Sequence, residues 1–335
     1  MVAQYKSYAK HLGEGKTFLV IAIVFSMAIR LIYFFLLDTP LATVPAGYIW
    51  DLLSPYLTIP LISFSLNCLL TGLIAFWIAH INSEHVFIRQ RTLLPSAYII
   101  LLFSCSPKFI YLTGDFIGAI FFLYALGILF ASYNIEYKQS ASYKVSFIIT
   151  LGSFFSPVLL FYIPFCWIAL ASMRSFNGKA FVVSLLSVVT LYFAAFSFYL
   201  FAGKMDIFFA PFLYLNINNL IAFPFLGFDS IQWIIIGIIA VLLIIIISDN
   251  YINRHKDKIR VRAYLSILDL FAVLALLFFL FLNMDSLTHL FVGLISIGLL
   301  LAHFFALLER KLTLYFFYLV LVLYILICFI PFLYL

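Results

Sequence analysis

Long apolar stretches follow one another along almost the whole chain, parted by short loops, and lysine and arginine crowd into alternate loops. In hydrocarbon every backbone N–H and C=O must find a partner within the protein, which leaves helices and closed barrels as spanning structures. A helix crosses with roughly 20 apolar residues, a barrel strand with about half that. The stretches seen here therefore predict an all-α fold, a polytopic transmembrane helix bundle of about 10–11 membrane segments. Composition agrees. Of 335 residues, 66% are hydrophobic and 10% charged, where a soluble domain carries roughly 25% charged. The net charge of +6 does not point to nucleic acid, because the excess gathers on one side of the membrane, as cytoplasmic loops demand.

The expected spans are residues 17–37, 56–80, 94–112, 115–132, 180–201, 231–248, 263–281, 287–308 and 312–334. The first is too long for a signal-peptide core and is read as a retained helix. Residues 145–172 need a separate argument. One tilted helix would fit, but Pro157 and Pro164 each remove a backbone donor. A single crossing would also put Arg174, Lys179 and the cluster Arg254, Lys256, Lys258, Arg260 and Arg262 outside. A hairpin of two short helices, broken near Ser156–Pro157, puts every basic cluster on one side. Broken membrane helices are tolerated only where protein or a watery cavity surrounds them, so this hairpin is expected inside the bundle. Sixteen of the nineteen Lys and Arg then share the side of the N-terminus, the exceptions being Arg30, Lys108 and Lys204. The N-terminus is expected in the cytoplasm and the C-terminus outside. Residues 1–16 read as a cytoplasmic segment and 17–335 as a single transmembrane domain. Within it, 203–230 is aromatic and proline-broken, re-entrant or interfacial, and 231–335 is a C-terminal four-helix part.

Few residues can carry chemistry. Cys68, Cys105, Cys166 and Cys328 lie far apart inside apolar stretches, and the six histidines show no paired spacing, so neither set suggests a metal site. The acids expected outside are Asp38, Asp51, Asp115, Asp206, Asp229 and Asp285. Asp38 and Asp51 flank the first outer loop. Asp115 opens a helix, where a carboxylate can cap the free N–H groups of the first turn; it can equally face a cavity. Arg30 lies in the outer half of the first span. A charge there costs a few kcal/mol unless it snorkels or pairs, with the interface, Asp38 or a phosphate as its outlets. Lys108 lies near Asp115 in the sequence. Arg30 and Lys108 with Asp51 and Asp115 would make an outward cavity of two bases and two acids. The bases would hold a lipid phosphate through charge-assisted bonds, and one carboxylate would deprotonate an acceptor hydroxyl.

The stretch Ala28–Ile29–Arg30–Leu31–Ile32–Tyr33, followed by an outer loop with Asp51, resembles the start of GT-C glycosyltransferases. Pro95, Ser106–Pro107, Tyr111–Leu112 and Asp115 are similar to that family's third and fourth helices, and the likeness covers residues 17–202. It implies a transferase using a polyprenyl-phosphate-linked sugar at the outer face. Asp51 and Asp115 would be its catalytic or metal positions, Arg30 and Lys108 its phosphate contacts, Asp38 an additional site residue, and a divalent cation its cofactor. The chain departs from the family in two respects: Asp51 stands alone where an acidic pair is common, and no large soluble C-terminal domain is read. The Phe- and Ile-rich texture also resembles multipass proteins of Bacteroidota, which implies a bacterial inner membrane and no particular activity. Two other readings stay open. One is a non-catalytic scaffold or component of an envelope complex, with other envelope proteins as partners. The other is a transporter or lipid flippase, which would want charges near the bilayer midplane and helices broken in symmetric pairs.

Overall fold

The computed structural model describes residues 13–37, 47–57, 59–88, 92–215, 224–282, 287–306 and 311–334. Asp38 and Asp285 lie outside the described residues. The described chain is helical, without a strand. The helices are α1 (Lys16–Leu36), α2 (Tyr48–Leu53), α3 (Pro60–His85), α4 (Leu94–Leu102), α5 (Gly114–Ala131), α6 (Lys138–Ser153), α7 (Ile163–Ser172), α8 (Gly178–Phe201), α9 (Met205–Tyr214), α10 (Ser230–Ile252), α11 (Ile259–Phe281), α12 (Thr288–Phe305) and α13 (Lys311–Phe329). Eight of these are long and apolar enough to cross a membrane: α1, α3, α5, α8, α10, α11, α12 and α13 with its short extension to Phe332. The protein is thus a polytopic helical membrane protein.

Burial ranks the helices. The apolar window of α12 is 78% buried inside the molecule and that of α5 56%, against 11% for α8 and 17% for α10 and α13. So α12 and α5 form the centre, and α8, α10 and α13 the rim. A rim helix needs no protein cover, because lipid tails are as apolar as leucine. What joins helices in that setting is packing and polar contact. The Tyr33 hydroxyl donates to the Cys328 carbonyl at 2.6 Å, tying α1 to α13. Tyr324 donates to the Leu101 carbonyl at 2.8 Å, tying α13 to α4. Serines on one face of α6 join it to α8: Ser142 donates to the Ala180 carbonyl at 2.8 Å, Ser146, one turn on, meets Ser184, and Ser153, two turns further, meets Tyr192 at 2.8 Å.

Two stretches break as their prolines require. The expected span 94–112 is helical only through Leu102, then turns and re-enters a short 3-10 helix at Pro107–Phe109. Proline supplies no N–H and pushes the preceding residue out of the helical region; Ser106 there is extended, at φ −142° and ψ 143°. The stretch 145–172 folds back. α6 ends at Ser153, and a 3-10 turn at Pro157–Tyr162 leads into α7. The far ends meet, where the Asn134 N–H donates to the Met173 carbonyl at 2.9 Å, so the chain enters and leaves on the same side. The four cysteines are unpaired, with Cys166 and Cys328 buried.

Candidate functional site

The charges singled out in the sequence fall into two separate buried clusters and an exposed fringe. The first cluster surrounds Arg30. Its side chain is 1% exposed, on the face of α1 turned toward α3 and α4. Nε donates to Ser104 Oγ at 2.7 Å. One terminal nitrogen donates to Asn67 Oδ1 at 2.8 Å and weakly to Cys68 Sγ at 3.5 Å. The other donates to Thr71 Oγ1 at 3.0 Å and to the Phe103 carbonyl at 2.8 Å. All five guanidinium hydrogens have an acceptor, and every acceptor is neutral. The cage exists because α4 stops at Leu102: the turn that follows frees the Phe103 carbonyl and brings the Ser104 hydroxyl inward. Asn67 and Thr71 are one turn apart on α3 and so present one face. The Asn67 amide also donates to the Tyr111 carbonyl at 3.1 Å.

The second cluster surrounds Asp115 in the first turn of α5. Thr113 caps that helix, its hydroxyl accepting from the Phe116 N–H at 3.2 Å. Asp115 instead reaches across the bundle, which differs from the capping role open to it in the sequence. Its Oδ1 accepts from Ser156 Oγ at 2.7 Å and from Thr288 Oγ1 at 2.6 Å. Its Oδ2 accepts from the Leu287 N–H at 2.9 Å. One carboxylate therefore joins the start of α5, the hairpin turn and the start of α12. Beside it, Tyr162 and His289 Nδ1 lie 2.9 Å apart, and His289 Nε2 is buried without a hydrogen-bond partner.

Asp51 is exposed on α2, within electrostatic reach of Tyr199 on α8. Its helix is held by the hairpin turn: the Gly47 N–H donates to the Phe155 carbonyl at 3.1 Å and the Ile49 N–H to the Phe154 carbonyl at 2.9 Å. A Cβ on Gly47 would lie 2.3 Å from the Phe154 oxygen, so only glycine allows this approach. Tyr48 anchors the helix further by donating to the Phe208 carbonyl at 2.7 Å, and burial raises its phenol pKa well above the ordinary value. Lys108 is exposed in the 3-10 helix after α4.

The turn Phe154–Ser156 thus brings the helix of Asp51 and the carboxylate of Asp115 onto one element. Arg30 shares no hydrogen-bond partner with either. Between Arg30 and Asp115 stand the fully buried rings of Phe103, Phe116 and Phe291, in mutual contact at centroid distances of 5.2 to 5.7 Å. Asn67, Thr71, Ser104 and Thr288 are not singled out in the sequence, and Ser156 only as the break of the hairpin. Their signal was a polar side chain inside an apolar stretch or beside its break. A divalent cation takes several oxygen ligands, yet both Asp115 oxygens already accept from protein donors. Among the described residues, no group of three His, Cys, Asp or Glu side chains is gathered as a metal would need. Compared with known proteins, the chain matches no family model, no curated protein and no solved structure at a significant level.

Proposed function

We propose that the protein is a non-catalytic multipass component of a bacterial envelope membrane, acting through the lipids and proteins its bundle engages rather than through chemistry at its acids. The observation that carries this reading is the state of Asp115. A general base needs a lone pair directed at its substrate, and this carboxylate accepts three internal bonds from two other segments of the fold, the hairpin turn and the start of α12. Arg30 is spent in the same way, with all its donors turned on neutral groups of α3, α4 and the following turn.

A second reading keeps the GT-C-like transferase. It is supported by the docking of the Asp51 helix on the turn that also carries Ser156, the partner of Asp115. In that reading Asp51 deprotonates the acceptor hydroxyl, Asp115 holds the turn that positions it, and Lys108 and Arg30 meet the donor phosphate.

One assay separates the two. The purified protein is reconstituted in lipid with a polyprenyl-phosphate sugar and a free acceptor, beside Asp51→Asn. The component reading expects no transfer above protein-free vesicles, and the same from the variant. Transfer that disappears in Asp51→Asn at unchanged thermal stability would replace it with the transferase.

A further inference from the structure

A lateral groove of about 380 Å³ runs between α1, α3 and α4, away from the acids. Ile23, Met27 and Phe76 on its rim are exposed, so it opens toward the lipid. Leu19 and Ala79 line it toward the Lys16 end of α1, and Arg30 closes it at the other.

Two features ask for an occupant. The first is Gly72, which lines the groove in the middle of a 26-residue helix. Glycine there weakens the helix relative to alanine. A Cβ built on it meets nothing within 4 Å, so no neighbour in the chain needs the space. The second is the charge of Arg30. Its hydrogen bonds are complete, but among the described residues no carboxylate lies within ion-pair distance of it. Neutral acceptors satisfy geometry without cancelling a charge, and a cation inside a membrane is costly without a counter-ion. Its weakest acceptor is the Cys68 sulfur at 3.5 Å, and Cys68 lies on the groove wall. An anionic oxygen entering there would displace the softest partner and make a charge-assisted bond. A phosphate suits the planar fork of a guanidinium.

Six residues separate Arg30 from Leu36 at the helix end, about 9 Å at 1.5 Å per residue, so a phosphate reaches Arg30 only by entering the groove below headgroup level. Leu19 lies about 16 Å beyond Arg30 by the same rise, past the midplane of a core about 30 Å thick. A chain running from Arg30 toward Leu19 therefore belongs to a lipid of the leaflet at the Leu36 end whose tail crosses the midplane. We infer that this groove holds one acyl chain of an anionic bilayer phospholipid, with its phosphate drawn to Arg30. The inference goes with the component reading, since in the transferase reading Arg30 would meet the donor phosphate instead; it does not depend on the acids, so the Asp51→Asn assay and lipid retention fail separately.

The test is native mass spectrometry of the full chain released from nanodiscs holding equal phosphatidylglycerol and digalactosyldiacylglycerol, a bilayer lipid without a phosphate, with oleate added in a separate arm. The wild type is expected to retain one phosphatidylglycerol with a preference of about tenfold, the size of one charge-assisted contact. Arg30→Gln is expected to lose that preference. Gly72→Phe, whose Cβ meets nothing within 4 Å and whose ring enters the groove, is expected to lose retention of both lipids while keeping its melting temperature. The last variant keeps the test decisive if Arg30→Gln fails to fold. Equal retention of the two lipids, or undiminished retention by Gly72→Phe, overturns the inference. Preferential capture of oleate over phosphatidylglycerol overturns the phospholipid assignment.

Discussion

Arg30 and Asp115 are opposite charges held by the same means: each is buried and surrounded by short polar side chains and backbone groups brought from other helices. Asp115→Asn keeps one acceptor oxygen but turns an amide donor toward the Leu287 N–H or toward the two hydroxyls. The expected cost is about 2 kcal/mol, read as a lower melting temperature of the purified protein, with Asp115→Ala costing more. A melting temperature equal to wild type in both variants would remove Asp115 from its clamping role. Arg30 stood out in the sequence because a charge inside an apolar span is rare. Its partners did not, since Asn67, Thr71 and Ser104 sit 37 to 74 residues away in sequence, and only packing brings them to the same depth. The pairing with Asp38 falls outside the described residues.

Among the elements, the hairpin of α6 and α7 organises the end of the bundle that carries Asp51 and Asp115. Its turn receives α2 through two backbone bonds and Asp115 through Ser156. Gly47→Ala is expected to lift α2 from the turn, because the added carbon cannot stay 2.3 Å from a carbonyl oxygen. Faster hydrogen exchange at the Gly47 and Ile49 amides would report it; unchanged exchange would mean that the turn yields instead. The serine contacts between α6 and α8 should each contribute about 0.6 kcal/mol. Ser146→Ala with Ser184→Ala is therefore expected to lower the melting temperature slightly and to leave the assembly intact in detergent. The break at Pro157 was legible from proline and charge together. The early end of α4 was not: the apolar stretch resumes after Ser106–Pro107–Lys108 and runs to Leu112, and the departure from the helix depends on Pro107 and on the Ser104 hydroxyl, which bonds the Ile100 carbonyl at 2.8 Å and meets Ser26.

For the whole molecule the outstanding quantity is orientation. The contact of Asn134 with Met173 puts the two ends of the hairpin on one side, so the basic residues that flank it, Lys138 and Arg174, belong together. Reporter fusions after Tyr137, Arg174 and His255 are expected to read as cytoplasmic, and fusions after Gly203 and Gly227 as periplasmic. A fusion after Arg174 that reads opposite to one after Tyr137 would contradict the hairpin in the membrane. The class follows from the sequence by itself, because a backbone in lipid has nowhere but its own helix to place its hydrogen bonds, and length and hydropathy record that demand locally. The count does not: about 10–11 segments are read from hydropathy, and eight of the described helices are long enough to cross, because the stretch 94–112 and the hairpin 145–172 break into shorter pieces. Which charges are spent inside the protein was decided by the tertiary structure. Asp51 and Asp115 carry the same formal charge in the sequence, as do Arg30 and Lys108, yet one of each pair became a buried clamp and the other stayed exposed. The difference lies in which neutral donors and acceptors the packed helices bring within 3 Å, and no local pattern of residues encodes that.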